Sequence, residues 1–416
     1  MKRVNVIAFS VLIGVYCSIT SSLDWQTPSG HLKYQFNYFQ YSDDSIFQLI
    51  TGDSDQNQSL DNRWKFSATH ENWQFNADYQ IQAAHGEQQI SLGAFSYPGI
   101  SLTTDADKLF DLSHVLSDDK NDLILHRLDR FNISHTTEQS VVRLGRQVVS
   151  WGNGLFFHPM DFFNPFDPTA LDKEYKTGGD MAYGQYLFDS GADVQGVWVW
   201  RRDPFNRKLK NDFNSIAVKY HTFLDESELD ILLAQHFNDE VVGIGLVKSI
   251  GGAVWRGDLV AVRTENDTYT SLVTNLSYSW MWNDRNWSGA IEYFYNDFGL
   301  DTQYSLFDLN NEPDLSPRYA RGELFTLSTN YLAASANVEL TPLLLASPAL
   351  IVNLDDQSTY LQVSAQYSLA QDWQLTTAIN LPFGDSGTEY GGLATGIANT
   401  TTSIDANFYL QIGFYF

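Results

Sequence analysis

The 416-residue sequence contains almost no cysteine and no long apolar run. Its one cysteine, Cys17, lies in an amino-terminal stretch that we expect to be removed, so disulfide bonds do not stabilise the folded chain. A membrane-spanning helix needs about 20 consecutive apolar residues. The longest candidate beyond the leader, residues 343–352, is short and is interrupted by Pro348. These absences exclude a disulfide-stabilised scaffold and a helical membrane protein.

Basic residues are also scarce, with 25 Lys and Arg against 50 Asp and Glu. Loss of Lys2 and Arg3 with the leader would leave 23 basic residues and a formal net charge of −27. A surface of this charge repels nucleic acid and attracts cations. We therefore expect no nucleic-acid partner.

The amino terminus has the pattern of a secretory leader. Lys2 and Arg3 precede an apolar run over residues 4–19, which is followed by small residues. This arrangement predicts a signal peptide over residues 1–22 that is cleaved from the mature protein. The sequence beyond it contains no linker or repeat, so residues 23–416 are predicted to form one domain.

The feature that runs through the rest of the chain is alternation of apolar and polar residues. From Phe408 to Phe416 every second residue is Phe, Leu or Ile, and residues 73–82 alternate aromatic or aliphatic residues with polar ones, mostly Gln and Asn. A period of two places the two sets on opposite sides of a β-strand. An apolar face rich in aromatics and a face of amides are typical of a strand between lipid and a wet lumen.

The same alternation predicts about eighteen strands. Sixteen is the alternative, because the patterns at 241–249 and 343–352 are weaker. The predicted strands are 32–41, 64–69, 73–82, 121–135, 140–149, 179–188, 193–201, 212–223, 228–238, 241–249, 253–264, 269–282, 287–296, 323–340, 343–352, 358–369, 373–381 and 407–416.

The connections between these strands alternate between short turns and longer segments. Outer-membrane barrels have short periplasmic turns and longer external loops, so the alternation predicts which end of each strand faces the cell exterior. The long connections are 42–61, 84–120, 150–178, 202–211, 297–322 and 382–406.

The carboxyl-terminal strand resembles that of Gram-negative outer-membrane β-barrel proteins, which end in a Phe-terminated strand read by their assembly machinery. The resemblance implies an all-β fold, a closed antiparallel transmembrane barrel in which residues 407–416 pair with residues 32–41. It also implies a location in the cell outer membrane, with the barrel assembly machinery, outer-membrane lipids and lipopolysaccharide as partners. A homotrimer, common among porins, leaves no readable mark in the sequence.

The third long connection, residues 150–178, is rich in aromatic residues and contains Pro159, Pro165 and Pro168. Prolines exclude a long helix, so this rigid apolar loop has to pack against the barrel. Porins fold their third external loop inward as a constriction, and this connection resembles theirs in position and bulk but not in sequence. We expect it to fold into the lumen, and a lid across the external mouth is the alternative.

Charged and polar residues in and around this loop are the candidates for a constriction or solute-binding site. They are Arg143, Arg146, Gln147, Trp151, Asp161, Asp167, Asp172, Glu174, Lys176 and Asp180. Arg146 lies on the opposite strand face from Arg143. Either Gly145 forms a bulge that turns Arg146 inward, or Arg146 sits high enough to meet lipid phosphates. Inward arginines would pair with the acidic residues and orient solutes, or the ion pairs simply hold the loop down.

The run from Arg143 to Gly152 is similar to one in a family of uncharacterised proteobacterial barrels, some of which accompany lipid-exporting inner-membrane pumps. Elsewhere the predicted lumen face is mainly neutral. Gln362, Ser364 and Gln366 on one strand are examples, and they predict a hydrated wall.

These patterns predict a passive outer-membrane channel for small polar or cationic solutes, constricted by residues 150–178, without enzymatic activity, metal or cofactor. The net charge predicts a modest preference for cations. A conduit for apolar or lipid-like molecules that partners an inner-membrane exporter is the first alternative. An outer-membrane hydrolase is the second, although His126, His135, His158 and Ser150 form no recognisable motif.

Overall fold

The computed structural model describes most of the chain, and the predicted signal peptide lies outside the described residues. Within the described part, no helix is both long and apolar enough to cross a membrane. The described residues are 23–86, 105–119, 121–300, 305–397 and 399–416.

Eighteen antiparallel strands close into a barrel, which confirms the predicted fold, and two short strands, Asp24–Trp25 and Ser113–Asp118, pair with it to give a sheet of 20 strands. The two strands on which the sixteen-stranded alternative depended are both present, as β10 and β15. The strands are β1 Ser29–Gln40, β2 Ser54–His70, β3 Trp73–Gly86, β4 Asp122–Thr136, β5 Ser140–Gln147, β6 Gly179–Leu187, β7 Asp193–Val199, β8 Ser215–Leu224, β9 Ser227–His236, β10 Asp239–Ile250, β11 Ala253–Arg263, β12 Thr268–Trp282, β13 Arg285–Asn296, β14 Asn330–Thr341, β15 Leu344–Asn353, β16 Thr359–Ala370, β17 Trp373–Phe383 and β18 Ala406–Tyr415.

The last strand closes the barrel onto the first, as predicted. Leu32 of β1 lies opposite Phe414 of β18. Beyond the end of β18, Gly30 and Phe416 exchange backbone hydrogen bonds of 2.8 and 3.1 Å. Closure pairs the amides that an open edge would leave exposed to lipid.

The alternation in sequence becomes an apolar exterior. Along β8, Ile216 and Val218 are 52% and 46% exposed, whereas Ala217 between them is 2% exposed. At the short-turn end of β12, Trp280 and Trp282 are exposed on the same outer side, in the position of an interfacial aromatic belt. The outer surface of the barrel is therefore suited to a lipid bilayer.

Two predicted strand boundaries differ from the structure by more than a few residues. Residues 54–61, predicted to lie in a connection, begin β2; all of them pair with β1, and from Asn57 onward they also pair with β3. All except Leu60 are polar, so they lack the apolar alternation on which the prediction relied. Residues 323–329 were predicted as strand, but β14 begins at Asn330. Leu327 instead packs in an apolar cluster of the connection before β14.

The long connections gather at one end of the barrel and carry three short helices. These are α1 Ile46–Thr51, α2 Leu306–Asn311 and α3 Leu315–Ala320. Leu309, Leu315 and Leu393 pack together, which joins the connections before β14 and before β18 over the mouth of the barrel.

The barrel wall is short at β5, β6 and β7, which have 8, 9 and 7 residues, whereas β4 has 15. β5 pairs only with the lower part of β4, and the short strand Ser113–Asp118 pairs with the upper part. Lys108 forms a β-bridge with Arg201 just beyond β7. Residues 105–118 therefore complete the wall above the three short strands.

Candidate functional site

The segment of residues 150–178, called the third-loop segment below, is tied to the first and last strands of the barrel. The carboxylate of Asp172 accepts a hydrogen bond from Lys33 Nζ of β1 at 2.6 Å and from Gln411 Nε2 of β18 at 3.0 Å. Glu174 also pairs with Lys33, at 2.6 Å. Since Lys33 is 2% exposed, these charge-assisted contacts are largely shielded from water.

The same segment is tied to strands that lie far around the sheet. The backbone N–H groups of Leu155, Phe156 and Phe157 donate to the carboxylate of Glu292 on β13, at 2.6, 2.9 and 2.8 Å. Asn153 donates to Asp258 on β11 through its backbone N–H at 2.6 Å and its side chain at 2.7 Å. A strand carboxylate thus fixes a loop backbone that has no secondary structure of its own.

Apolar packing reinforces these polar contacts. Trp151, Met160 and Phe163 of the segment belong to a buried cluster with Leu232 and other strand residues. The inner faces of β6 to β11 contribute to this cluster with Met181, Val197, Val199, Ala217, Leu232, Val241 and Val260. These strands have apolar residues on both faces: one set is exposed on the outer surface, and the other packs against the segment. The hydrated wall predicted from residues such as Gln362 and Ser364 therefore does not extend to them.

A second apolar cluster holds the next part of the segment. Phe157 stacks on Phe294 of β13 with ring centroids 4.7 Å apart, and Tyr331 of β14 lies 5.5 Å from Phe157. Burial of each such side chain contributes about 1.5–3 kcal/mol. The segment is therefore packed like a protein core, and not like a solvated loop.

Sequence reasoning missed a basic cluster on β1, β2 and β4. Arg63 and Arg130 both pair with Asp129, at 2.7 and 2.6 Å. The guanidinium of Arg63 lies 4.3 Å and the ammonium of Lys65 lies 4.6 Å from the ring centroid of Tyr175 in the third-loop segment. Cations over an aromatic face attract it electrostatically, so this cluster adds a further anchor. Its signal was the presence of Lys33, Lys65 and Arg130 in the first, second and fourth predicted strands, with Arg63 just before the second.

Arg146 is buried within the protein, with 1% of its surface exposed. Its guanidinium contacts Asp180 and Asp105, each at 2.9 Å, and the carbonyl of Phe110 at 2.7 Å. The register through Gly145 is unbroken, so the predicted bulge is absent. Instead Gly145 has a φ of +120°. The alternative contact with lipid phosphates is also wrong, because residues 105–112 cover this side chain.

The other predicted residues at the entry to the segment do not gather around Arg146. Arg143 lies over the ring of Tyr183, 5.8 Å from its centroid. The side-chain amide of Gln147 donates to the carbonyl of Met181 at 3.1 Å. Trp151 Nε1 donates to Gln195 at 2.8 Å. These contacts fix the wall and the start of the segment.

The acidic candidates form separate local groups. Asp161 is 1% exposed and accepts hydrogen bonds from Lys176 and from Ser150 Oγ, the latter at 2.7 Å. Asp167 accepts from the backbone N–H and the hydroxyl of Thr169, both at 2.7 Å. Of the predicted pairs between arginines and acidic residues, the structure forms the one between Arg146 and Asp180. The geometry favours ion pairs that fasten the segment over a single ladder facing solute.

One cavity of about 500 Å³ lies beside the segment. Leu155, Phe156, Thr169 and Lys173 form one side of it, and the inner faces of strands β11 to β16 form the other. None of the ten predicted site residues is among its described lining residues, whereas Gln362 and Ser364, predicted as lumen-facing, both line it.

A buried series of hydrogen bonds joins Ser215, His236 and Glu323. Ser215 Oγ lies 2.8 Å from His236 Nδ1, and His236 Nε2 lies 2.9 Å from the carboxylate of Glu323. The order resembles a nucleophile, a base and an orienting group. However, Arg201 donates to Ser215 Oγ at 2.7 Å, and Phe162 packs against His236. Because the Ser215 hydroxyl is enclosed and does not line the cavity, we interpret these hydrogen bonds as structural contacts that anchor the connection before β14. In the described part of the protein, no group of three or more His, Cys, Asp or Glu side chains is placed to hold a metal ion.

Comparison with known proteins supports the fold. Residues 128–215 match the model of a protein family of unknown function, DUF1302. No curated protein matches the chain. Among solved structures, OccAB3 of Acinetobacter baumannii is similar with a TM-score of 0.53 and 10% identity, over 94% of this chain and 99% of that one. A BenF-like porin from Pseudomonas fluorescens Pf-5 gives 0.53 and 9%, over 94% and 98%.

The outer-membrane protein Wzi of Escherichia coli, a carbohydrate-binding β-barrel involved in group 1 capsule assembly, is similar with a TM-score of 0.52 and 10% identity, over 100% of this chain and 90% of that one. At these identities the likeness is one of fold. Together with the closed sheet and the apolar exterior, it shows that the chain has the fold of porin-like outer-membrane β-barrels.

Proposed function

We propose that the protein is a passive channel for small polar solutes and that the third-loop segment lies inside the barrel and constricts it. The observation that carries the proposal is the spread of its contacts around a closed sheet. Asp172 bonds to β1 and β18, Asn153 to β11, and Leu155 to Glu292 on β13. A single segment reaches all four strands most directly by crossing the interior. One of the similar structures is a BenF-like porin, which supports a channel.

The surfaces next to the segment favour polar solutes over apolar ones. Phe156, Phe157 and Phe163 are each 8% exposed or less, so their apolar surface is used in packing. An apolar conduit would need those side chains to face an open path. The cavity beside the segment is bordered by Phe156, but its lining also includes six serines, Asn337 and Gln362, and we do not favour the conduit or the hydrolase.

We also propose that the leader is cleaved after residue 22, that the assembly machinery recognises the last strand, that the barrel contacts lipopolysaccharide and that it forms a trimer. The preference for cations rests on the net charge of the chain. The cavity does not add to it, because Lys173 is the one charged side chain among its described lining residues.

Conductance of the refolded barrel in a planar bilayer tests the channel. We expect stepwise, ohmic openings with modest cation selectivity. Replacement of residues 155–172 by a short Gly-Ser linker should raise the single-channel conductance at least about twofold, because channel width sets ion flow. Replacement of residues 203–210, in the fourth long connection, by a Gly-Ser linker is the control and should leave the single-channel conductance unchanged.

Two results would contradict this proposal. A silent barrel that is correctly folded, as judged by its heat-dependent migration on a gel, would exclude a channel. Unchanged conductance after removal of residues 155–172 would place the segment outside the conducting path. Anion-selective current would overturn the cation preference alone.

A further inference from the structure

The cavity beside the third-loop segment differs from the rest of the described interior in the size of its wall residues. Gly289, Ala290 and Ala349 on β13 and β15 leave space there. At other inner positions, side chains such as Leu232 and Val260 are 0% and 1% exposed because they pack against the segment. A volume of about 500 Å³ falls within the range of roughly 300–1,000 Å³ that small-molecule sites occupy.

The wall of this cavity is rich in neutral hydrogen-bonding groups. Six serines on β12 to β16 line it, and Asn337 and Gln362 add side-chain amides. The serines are Ser277, Ser279, Ser288, Ser335, Ser347 and Ser364. Hydroxyl and amide groups both donate and accept hydrogen bonds, so this wall can match a solute that also does both.

The local charge does not favour an ionic solute. No carboxylate is present among the described lining residues, and the one cation, Lys173, donates to the carbonyl of Pro168 at 3.1 Å. Asp167 and Glu292 interact electrostatically with Lys173 and offset its charge. An anion would meet this compensated lysine, and a cation would find no described carboxylate in the wall.

Aromatic surface completes the lining, from the segment on one side and from β16 on the other. Phe156 and Tyr360 both reach the cavity. Flat apolar faces beside several hydroxyl groups suit a molecule with C–H surface and many hydroxyls, since polar groups fix orientation while apolar area supplies affinity.

We propose that this cavity is a binding site for a small, neutral, polyhydroxylated solute of the size of a monosaccharide. The proposal deepens the channel function above and rests on it for its physiological meaning. The lining predicts selectivity by charge: a neutral polyol matches the wall, whereas its carboxylate or ammonium counterparts lose hydration without a free partner of opposite charge.

Calorimetric titration of the detergent-folded barrel with glucose, gluconate and glucosamine tests the site. These probes share their size and differ in charge. We expect weak saturable binding of glucose, with gluconate and glucosamine at least about tenfold weaker. Ser335→Leu combined with Ser364→Leu should abolish glucose binding by filling the cavity. Ser67→Leu on β2, a serine that does not line the cavity, should leave it unchanged.

The other outcomes decide against the site or against the channel. Tighter binding of gluconate would make it an anion site, and tighter binding of glucosamine a cation site. Absence of glucose binding by a barrel that conducts ions would refute the site and leave the channel standing, whereas binding by a silent barrel would refute the channel and leave the site. If the double variant misfolds, Ser364→Val alone should still weaken glucose binding severalfold, and unchanged affinity would overturn the proposal.

Discussion

At the residue scale, single acidic side chains hold the long connections in place. Glu292 accepts three consecutive backbone N–H groups of the third-loop segment. At the mouth, Glu389 in the connection before β18 accepts from Tyr331 Oη at 2.5 Å, Asn353 Nδ2 at 2.8 Å and the backbone N–H of Leu327 at 3.2 Å. These connections have little regular secondary structure, and the two glutamate side chains fix them by accepting hydrogen bonds from their backbone N–H groups.

The contact of Glu389 should depend on pH. Burial, together with the neighbouring Asp356, raises the pKa of Glu389 from its ordinary value of 4.5 to about 8, although hydrogen bonds from Tyr331 and Asn353 oppose the rise. A carboxyl with a raised pKa in the folded state stabilises that state when protonated. The docking of this connection should therefore weaken as pH rises from about 4.5 to 8.

Hydrogen exchange of the Leu327 and Tyr390 amides, corrected for the intrinsic rate, measures this effect. Protection should fall between pH 5 and about 8.5 in the natural protein and should be independent of pH in Glu389→Gln. Glu312→Gln, at an exposed position, is the control and should retain the dependence. Protection that rises with pH would contradict the assignment.

Individual site residues were predicted less well than the strands that carry them. The pairing of Arg146 with Asp180 was anticipated because both flank the third-loop segment in sequence. The contact of Asp172 with Lys33 was not, because 139 positions separate the two residues. Sequence alternation says which face a side chain occupies, but not which distant strand lies across the barrel.

At the element scale, β5 depends on one residue with a left-handed backbone. Gly145 has a φ of +120°, and a Cβ atom there would lie 2.2 Å from the carbonyl oxygen of Phe131. Gly145→Ala should destabilise the barrel by about 1–3 kcal/mol, the usual cost of such a strained backbone. It should also disturb the contact of Arg146 with Asp180.

Gly184→Ala on the neighbouring strand β6 is the matched control, because no heavy atom lies within 4 Å of the corresponding Cβ position. Urea unfolding in lipid vesicles, followed by gel migration, compares the two variants. Equal stability would show that the backbone at Gly145 relaxes without cost.

The strands themselves were predictable because lipid on one side and water or polar groups on the other impose a period of two. The prediction was wrong where that contrast disappears. Residues 54–61 belong to β2 although all but Leu60 are polar, and Val197 and Leu232 lie on the less exposed faces of their strands, where they pack with apolar residues of the third-loop segment. At Val197 and Leu232, the apolar residue type matches the apolar loop that packs there and does not follow from alternation within the strand.

At the scale of the whole molecule, the free-energy cost of a charged side chain on the apolar exterior should depend on its depth in the bilayer. Leu233 of β9 is 56% exposed on the outer face and lies opposite Val218 in the middle of β8. Leu233→Arg should cost about 2–4 kcal/mol, the value for the bilayer midplane. Leu224→Arg, at the short-turn end of β8, should cost about 0–1 kcal/mol.

Unfolding of the two arginine variants in vesicles of the same lipid provides the measurement. The natural protein sets the reference, and circular dichroism checks that each variant retains its strands. Equal costs at the two positions would contradict the placement of the bilayer around the barrel.

The two side chains that donate hydrogen bonds to Asp172 come from opposite ends of the polypeptide, since Lys33 belongs to the first strand and Gln411 to the last. Before the first and last strands have paired, Asp172 cannot contact both Lys33 and Gln411. It follows that Asp172 can hold both of its partners only when the first and last strands lie side by side, so the anchoring of this connection depends on closure of the barrel.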